Sequence, residues 1–289
     1  MLDAFEAWIR RVPDSTLVVN LNDPGVDELV RRLDERPGPV IGVELENPPG
    51  VQGPDPAPRP RPASDEDGLV TGAVDLSHPE GVWLGLFDHR TDEAVGTAAL
   101  QLAGRHNASN AALVAAAALA LGLDPKQTMH GLASFPGVGR RLERKGEARG
   151  VVVYDDYGHH PTAIRETLAA VRQREPGRRV WAVYEPLTFH RTAAMLAQFA
   201  DVLSSADAVA IADVWAGRDP DTTIASAGDL AAAIQARRPG LQVLAPGSVD
   251  ATADRLAEEV RPGDVVLVMG GGASYRIGER LLSRLEVKR

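Results

Sequence analysis

The chain has 289 residues, a net charge of −9, 44% hydrophobic composition and no cysteine. That length buries a real core and fits two domains, while the acidic balance argues against a general electrostatic grip on DNA or RNA. The missing thiols exclude disulfides, thiolate metal sites and cysteine nucleophiles; small anions remain admissible ligands, because a few local arginines can hold a phosphate or carboxylate inside an acidic protein.

Met1 to Arg11 reads as an amphipathic helix with Ala4, Phe5, Trp8 and Ile9 as its apolar face, and not as a signal peptide. Thr16 to Asn20 predicts a strand, Gly25 to Leu33 a helix and Val40 to Glu44 a second strand, a βαβ-like beginning whose crossover should be right-handed if the strands are parallel neighbours. Pro48 to Asp67, dense in Pro, Gly, Asp and Ser, predicts an exposed, poorly ordered excursion, part of which could line a cleft. Leu69 to Val74, Val82 to Phe87 and Ala94 to Leu102 read as short strands joined by polar turns. His106-Asn107-Ala108-Ser109-Asn110 then runs into the Ala-rich stretch Ala111 to Leu123, and a further helix is predicted from Pro125 to Ala133. The Ala-rich stretch is apolar nearly all round but too short to span a bilayer, so it predicts a buried helix; no membrane partner and a cytoplasmic location follow as the default expectation.

After Phe135-Pro136-Gly137 the pattern changes. Apolar runs at Val151–Tyr154, Val180–Tyr184, Ala208–Ala212, Leu241–Leu244 and Val265–Met269 alternate with helical patterns at Pro161–Arg174, Thr192–Leu203, Ala227–Ala236, Val249–Val260 and Ser274–Leu285. Five strands separated by five helices predict an α/β architecture with a doubly wound, mostly parallel sheet. The loosening at Pro136 to Gly139 places a boundary near Gly137, giving domains 1–136 and 137–289. No repeat of solenoid length is visible.

The richest segment is Asp155-Asp156-Tyr157-Gly158-His159-His160-Pro161, directly after a β-branched run. It reads as strand, tight turn and helix, at the carboxyl end of a strand where open α/β sheets place their ligands. Helix capping explains one acid or one histidine there, but not two acids with Tyr157, His159 and His160. Asn107 and Asn110, three apart at a helix start, can present both carboxamides to one side; a carboxamide suits an adenine edge, and an N-cap plus a surface residue is the plain alternative. Arg140-Arg141-Leu142-Glu143-Arg144 sits at the boundary, where an exposed charged strand competes with a phosphate-binding role for Arg141. Glu185 to Thr192 follows another strand on the same edge, with His190 either a cap or functional and Arg191 a candidate carboxylate anchor. Met269-Gly270-Gly271-Gly272-Ala273-Ser274 can cradle phosphate, yet no acid ends a following strand, so close packing is the stronger reading. His78, His89 and His130 stand alone, without ligand spacing.

Together these segments resemble the Mur ligases, which build the peptidoglycan peptide stem by ATP-driven amide formation. The likeness rests on His106-Asn107-Ala108-Ser109-Asn110, on Gly137-Val138-Gly139-Arg140-Arg141 and on Asp155 to Pro161, the last in the form of the branch that joins L-alanine to UDP-N-acetylmuramate; Arg191-Thr192 and Ala4-Phe5-Glu6-Ala7-Trp8 are similar too. The resemblance implies the remnant of a mixed-sheet ATP-binding central domain followed by a Rossmann-like C-terminal domain. It implies ATP and Mg²⁺ as cofactors, and UDP-N-acetylmuramate and L-alanine as substrates joined through an acyl phosphate. It places Asn107 and Asn110 by the adenine, Arg141 and Asp156 by the ribose and phosphates, and Tyr157, His159, His160 and Arg191 by the amino acid or muramoyl carboxylate, with His159 catalytic.

Two departures from the family pattern set further expectations. No Gly-x-x-x-x-Gly-Lys-Ser/Thr occurs, and the metal-binding residues and UDP-binding domain are expected before Met1. The chain is therefore expected to be inactive alone, with a second chain a candidate source of the absent half. Pro186-Leu187-Thr188 stands where the L-alanine branch has Pro-His-Arg, and Ala182 to Pro186 is similar to the murein-peptide ligase, leaving the acceptor open between alanine and a peptide. A non-catalytic module that binds a nucleotide or amino acid is the alternative outside enzymes.

Overall fold

Two stretches of chain, Met1–Pro136 and Gly137–Arg289, each form a unit with its own sheet. The structure, a computed structural model, describes residues 1–33, 38–46, 68–217 and 219–287; the excursion expected over 48–67 lies outside the described residues.

In the first unit, α1 (Leu2–Ile9) leads into β1 (Leu17–Asn20), α2 (Pro24–Arg32) and β2 (Val40–Leu45), and β1 and β2 are parallel neighbours. Asp23 starts α2 by accepting from the amides of Gly25 and Val26, with Pro24 preset for the first turn. β3 (Gly68–Asp75) joins β2 in parallel, and β4 (Val82–Asp88) and β5 (Glu93–Leu100) extend the sheet antiparallel in the order β1-β2-β3-β4-β5. Helices α3 (Arg105–Ala120) and α4 (Pro125–Ser134) follow. Ala108, Ala112, Ala115 and Ala116 of α3 are fully buried against Ile41, Val43, Val70 and Leu84. The Ala-rich stretch is thus a buried helix because small side chains let it lie close to the sheet.

The apolar face of α1 differs from the one read in the sequence. Leu2 and Ile9 face inward on Leu29 and Leu33, whereas Ala4, Phe5 and Trp8 are exposed. The ion pairs of Arg32 with Asp3 and Glu6, and the bond from Arg10 Nη2 to Arg32 O, hold α1 to α2 in that rotation.

The second unit runs β6 (Glu143–Ala148), β7 (Val151–Asp156), α5 (Pro161–Arg174), β8 (Val180–Glu185), α6 (Phe189–Ala194), α7 (Leu196–Leu203), β9 (Ala208–Ala212), α8 (Ala227–Arg237), β10 (Gln242–Gly247), α9 (Val249–Glu259), β11 (Val265–Gly270) and α10 (Tyr275–Val287). Its sheet order is β10-β9-β8-β11-β7-β6, parallel except for the edge strand β6. β6 lies outside the five apolar runs and overlaps Arg140–Arg144, for which an exposed charged strand is one of the two readings: Glu-Arg-Lys-Gly-Glu-Ala carries no apolar pattern, and pairing with β7 makes it a strand. The helix expected over Thr192–Leu203 is broken at Met195 into α6 and α7.

Helices α9 and α10 pack together on one face of this sheet, and α5, α7 and α8 pack on one another opposite. Because β11 lies between β7 and β8, chains leaving adjacent strands turn to opposite faces at their carboxyl ends. That opens the crevice characteristic of a doubly wound sheet.

Candidate functional site

β7 delivers Asp155 and Asp156 to this carboxyl edge, both buried. Asp155 is fully buried and pairs through Oδ2 with Arg140 Nε at 3.1 Å; its Oδ1 has no partner among the described residues. Burial pushes its carboxyl up, opposed by the Arg140 charge. Asp156 is spent on the turn itself. Its Oδ2 accepts from Leu142 N at 2.8 Å, and its Oδ1 from Gly158 N at 2.7 Å and Thr167 Oγ1 at 3.3 Å. A Cβ on Gly158 would sit 2.7 Å from that Oδ1, so only glycine closes the turn.

Arg140 organises the surroundings. Its guanidinium also donates to Gly270 O at 2.9 Å and Ser274 Oγ at 3.1 Å, and lies 5.2 Å from the ring centres of both Tyr157 and Tyr275. Its carbonyl accepts from Tyr157 N at 2.8 Å. Arg140 and Leu142 hold φ of 59° and 47°, a left-handed pinch costing about 1 kcal/mol or more each, which these bonds offset. Nothing local in the sequence separates half-buried Arg140 from exposed Arg141. Arg140, Asp155 and Ser274 form one network only because the fold brings 140, 155 and 274 together.

Arg141 is exposed and covers the Tyr157 ring at 5.2 Å. Tyr157 meets His159 edge-on at 5.1 Å. His159 Nδ1 lies 2.9 Å from Tyr157 O; a carbonyl only accepts, so Nδ1 carries a proton and the neutral ring keeps its lone pair on Nε2. His160 does the reverse, accepting from Thr162 N at 3.3 Å and so capping α5. Arg191 sits half-buried in α6. Neither Arg141 nor Arg191 forms an ion pair with a carboxylate among the described residues, unlike Arg140 and Arg280. His190 is clasped by Asp219, whose Oδ2 also accepts from His190 N at 2.8 Å and whose Oδ1 meets His190 Nδ1; His190 thus anchors the start of α6.

Glu185 ends β8 only 3% exposed, with Oε2 unpartnered among the described residues. Burial raises its carboxyl, against the pull of the Ser274 and Ala273 amides. A Cβ on Gly272 would meet Glu185 Oε2 and Trp215 at 2.8 Å, so the glycine-rich turn is here a device for close packing. An open cavity of about 360 Å³ lies beside it, lined by Glu185, Asp213, Trp215, Ser248, Asp250 and Arg276. A larger hollow of about 620 Å³ opens at the opposite edge, but its arginines are consumed: Arg178 bonds three backbone carbonyls and Arg172 pairs with Asp207.

In the first unit, α3 begins after Gly104, so Asn107 is not its cap. Asn107 Nδ2 donates to Ala103 O at 2.7 Å, and Asn110 lies exposed one turn on. Among the described residues no group of three His, Asp or Glu could hold a metal, and no helix is long and apolar enough to cross a membrane.

Residues 140–272 match the family model of the Mur ligase glutamate ligase domain. The UDP-N-acetylmuramate–L-alanine ligase of Roseiflexus sp. (strain RS-1) is 36% identical over 287 residues, covering 98% of this chain but 58% of its own length. Two crystal structures share the fold. The UDP-N-acetylmuramate–alanine ligase of Thermotoga maritima has a TM-score of 0.62 at 18% identity, covering 92% of this chain and 55% of its own. The murein peptide ligase of Psychrobacter arcticus has a TM-score of 0.63 at 22% identity, covering 100% and 56%. The chain therefore spans little more than half the length of these relatives.

Proposed function

Since this chain belongs to the Mur ligase family, we propose that it forms the acceptor-binding part of an ATP-dependent ligase that joins L-alanine to UDP-N-acetylmuramate. The observation that carries this reading is that Arg141, over the Tyr157 ring, and Arg191, in the helix that follows β8, form no ion pair with an acid among the described residues. In a chain of net charge −9, such guanidiniums mark a local seat for carboxylates or phosphates.

ATP and Mg²⁺ are the family's cofactors and supply the activation of the carboxylate. The metal fits nothing described here: no cluster of acids or histidines could hold it, and no P-loop lysine is present in the sequence. Phosphate and metal binding therefore fall to the portion of the ligase fold that these residues do not span.

The chain's own residues bind and orient. Arg191 and Arg141 anchor carboxylate or phosphate oxygens, and Tyr157 holds Arg141 in place by its ring. His159 Nε2, fixed as the lone-pair nitrogen, takes the proton of the acceptor amine as it attacks. His160 orients the turn by capping α5. Asp156 acts through the backbone it holds, setting Leu142 and hence Arg141. Asn107 and Asn110 face the adenine, Asn107 through the carboxamide oxygen that its bond to Ala103 leaves available.

A peptide acceptor is the second reading. Leu187 and Thr188 remove charge beside α6, and the open cavity next to Glu185 exceeds what a methyl side chain needs. Competition between L-alanine and a peptide acceptor for binding to this chain separates the two, since the reading with more support requires L-alanine to win. The proposal as a whole is tested by calorimetric titration of UDP-N-acetylmuramate and acceptor into wild type and Arg191→Ala. Binding that the variant loses supports it; equal binding, or none in either, overturns it.

A further inference from the structure

Arg140, Arg141 and Arg191 make one part of the second unit cationic, but the cavity beside its glycine turn is acidic. Glu185, Asp213 and Asp250 line it, and Arg276 is the one cation among its lining residues. The two helix starts that border it already have their anions. The Ala273 and Ser274 amides ahead of α10 pull on the Glu185 carboxyl, and Asp250 sits in the first turn of α9, next to the Ser248 cap. A phosphate or carboxylate entering there would meet acids before it met amides.

Glu185 is 3% exposed, and its Oε2 has no hydrogen-bond partner among the described residues. A buried acceptor in that state costs free energy until a donor reaches it. The oxygen lies at the Trp215 wall of the cavity: it and Trp215 Cγ both stand 2.8 Å from the place a Cβ on Gly272 would take. Trp215 is 44% exposed, yet its backbone is pinned, because Trp215 N donates to Pro186 O and Thr188 N to Trp215 O, each at 2.9 Å. Asp213 is held through its own amide to Gly247 O at 2.8 Å, and its exposed carboxylate forms no ion pair among the described residues. Asp250 reaches Arg276 only at 3.8 Å, while Arg280 is committed to Asp254 at 2.7 Å. A buried oxygen short of a donor, a free carboxylate and a fixed indole all call for a positive group rich in N–H.

We propose that this cavity binds a primary ammonium group on an alkyl chain, with Glu185 Oε2 and Asp213 accepting from its N–H groups and the Trp215 ring facing its charge. An ammonium carries several donors on one compact head, so it serves both acids at once, and about 360 Å³ admits the chain behind it. The glycine turn sets this place apart from the Tyr157 side. A Cβ on Gly271 would stand 3.0 Å from Leu187 and 3.6 Å from Tyr157, whereas one on Gly272 would meet Glu185 and Trp215. The ammonium therefore arrives either on a free amine or on the side chain of an acceptor that crosses the turn from Tyr157. The inference goes beyond the proposed function, since the cavity uses neither Arg141 nor Arg191.

Calorimetric titration of 1,5-diaminopentane into this chain tests it, with 1,5-pentanediol and glutarate as neutral and anionic probes of the same carbon number. The diamine is expected to bind about 10-fold tighter than either, or more. Glu185→Gln should weaken it about 10-fold or more, and Asp213→Asn by a smaller factor, its carboxylate being exposed. Glu93→Gln, at an exposed position of β5, removes the same charge and should change nothing. Asp213→Asn keeps the result readable if Glu185→Gln disturbs the turn. No diamine binding, equal binding of diol or glutarate, or a loss in Glu93→Gln as large as in the cavity variants overturns the site, the last by showing mere attraction to an acidic chain. L-Alanyl-L-lysine separates the two sources: Arg191→Ala weakens the dipeptide but not the diamine if the ammonium comes on an acceptor, and weakens neither if it comes on a free amine. Failure of the proposed function leaves the diamine result standing.

Discussion

In the second unit, β7, β8, β9 and β11 are buried along their whole length, whereas β4 and β5 of the first alternate buried with exposed or half-exposed positions. The first pattern belongs to a parallel sheet with helices on both faces, the second to an antiparallel stretch with one solvated face. The second unit, its central strands covered on both faces, holds buried charges at its strand ends, as Asp155 and Glu185 show. The first leaves Phe5 and Trp8 of α1 exposed.

The largest expected effect breaks the charged network of the second unit alone. Arg140→Ala strands Asp155 without its partner, and losing one member of a buried pair costs about 3–5 kcal/mol. Urea unfolding should show the transition of residues 137–289 shifted and that of residues 1–136 unmoved. A common shift would mean that the units do not unfold separately. Ala112→Val should reverse the pattern: it overpacks the α3–sheet contact, where Ala112 is fully buried, at about 1–3 kcal/mol, and shifts only the first unit.

Legibility divides along the same line. Continuous apolar runs of the second unit announce buried parallel strands, and the polar segment after Val151–Tyr154 announces the turn from strand to helix at their end. What the sequence hid was decided by tertiary pairing. Glu143–Ala148 becomes a strand without any apolar periodicity, and Arg140 is half-buried and paired while Arg141 beside it is exposed. Periodicity reports that α1 has an apolar face but not which of two faces meets α2, so the inward role went to Phe5 and Trp8 instead of Leu2. Likewise His160 turned out to cap a helix, while Asp156 proved to be committed to its own turn.

Function should respond where stability does not. Arg191→Ala and Arg141→Ala each remove one charge-assisted contact, worth about 1.5–3 kcal/mol or about 10–150-fold in affinity, and should leave both unfolding midpoints in place. Calorimetric affinity for acceptor and UDP-N-acetylmuramate reads the effect, and a midpoint shift of similar size would assign these arginines to the fold instead.

The smallest effect is pH-dependent. Burial raises the Glu185 carboxyl in the folded state, so the stability this group permits is complete below the ordinary glutamate value. It is lost as pH climbs through the raised value. Glu185→Gln removes that loss: thermal midpoints of wild type and variant should coincide in acid and separate toward neutrality, with the variant higher. A variant that is less stable at neutral pH would mean the loop amides need the full carboxylate charge.

Phosphate release from ATP, with UDP-N-acetylmuramate, L-alanine and Mg²⁺ present, tests the division of labour most directly. Three samples suffice: this chain alone, the complementary part of the Roseiflexus ligase alone, and their mixture. Turnover only in the mixture, falling when Arg191 is replaced by alanine, is the expected result. Turnover by this chain alone, or a mixture as inert as its parts, would contradict the account.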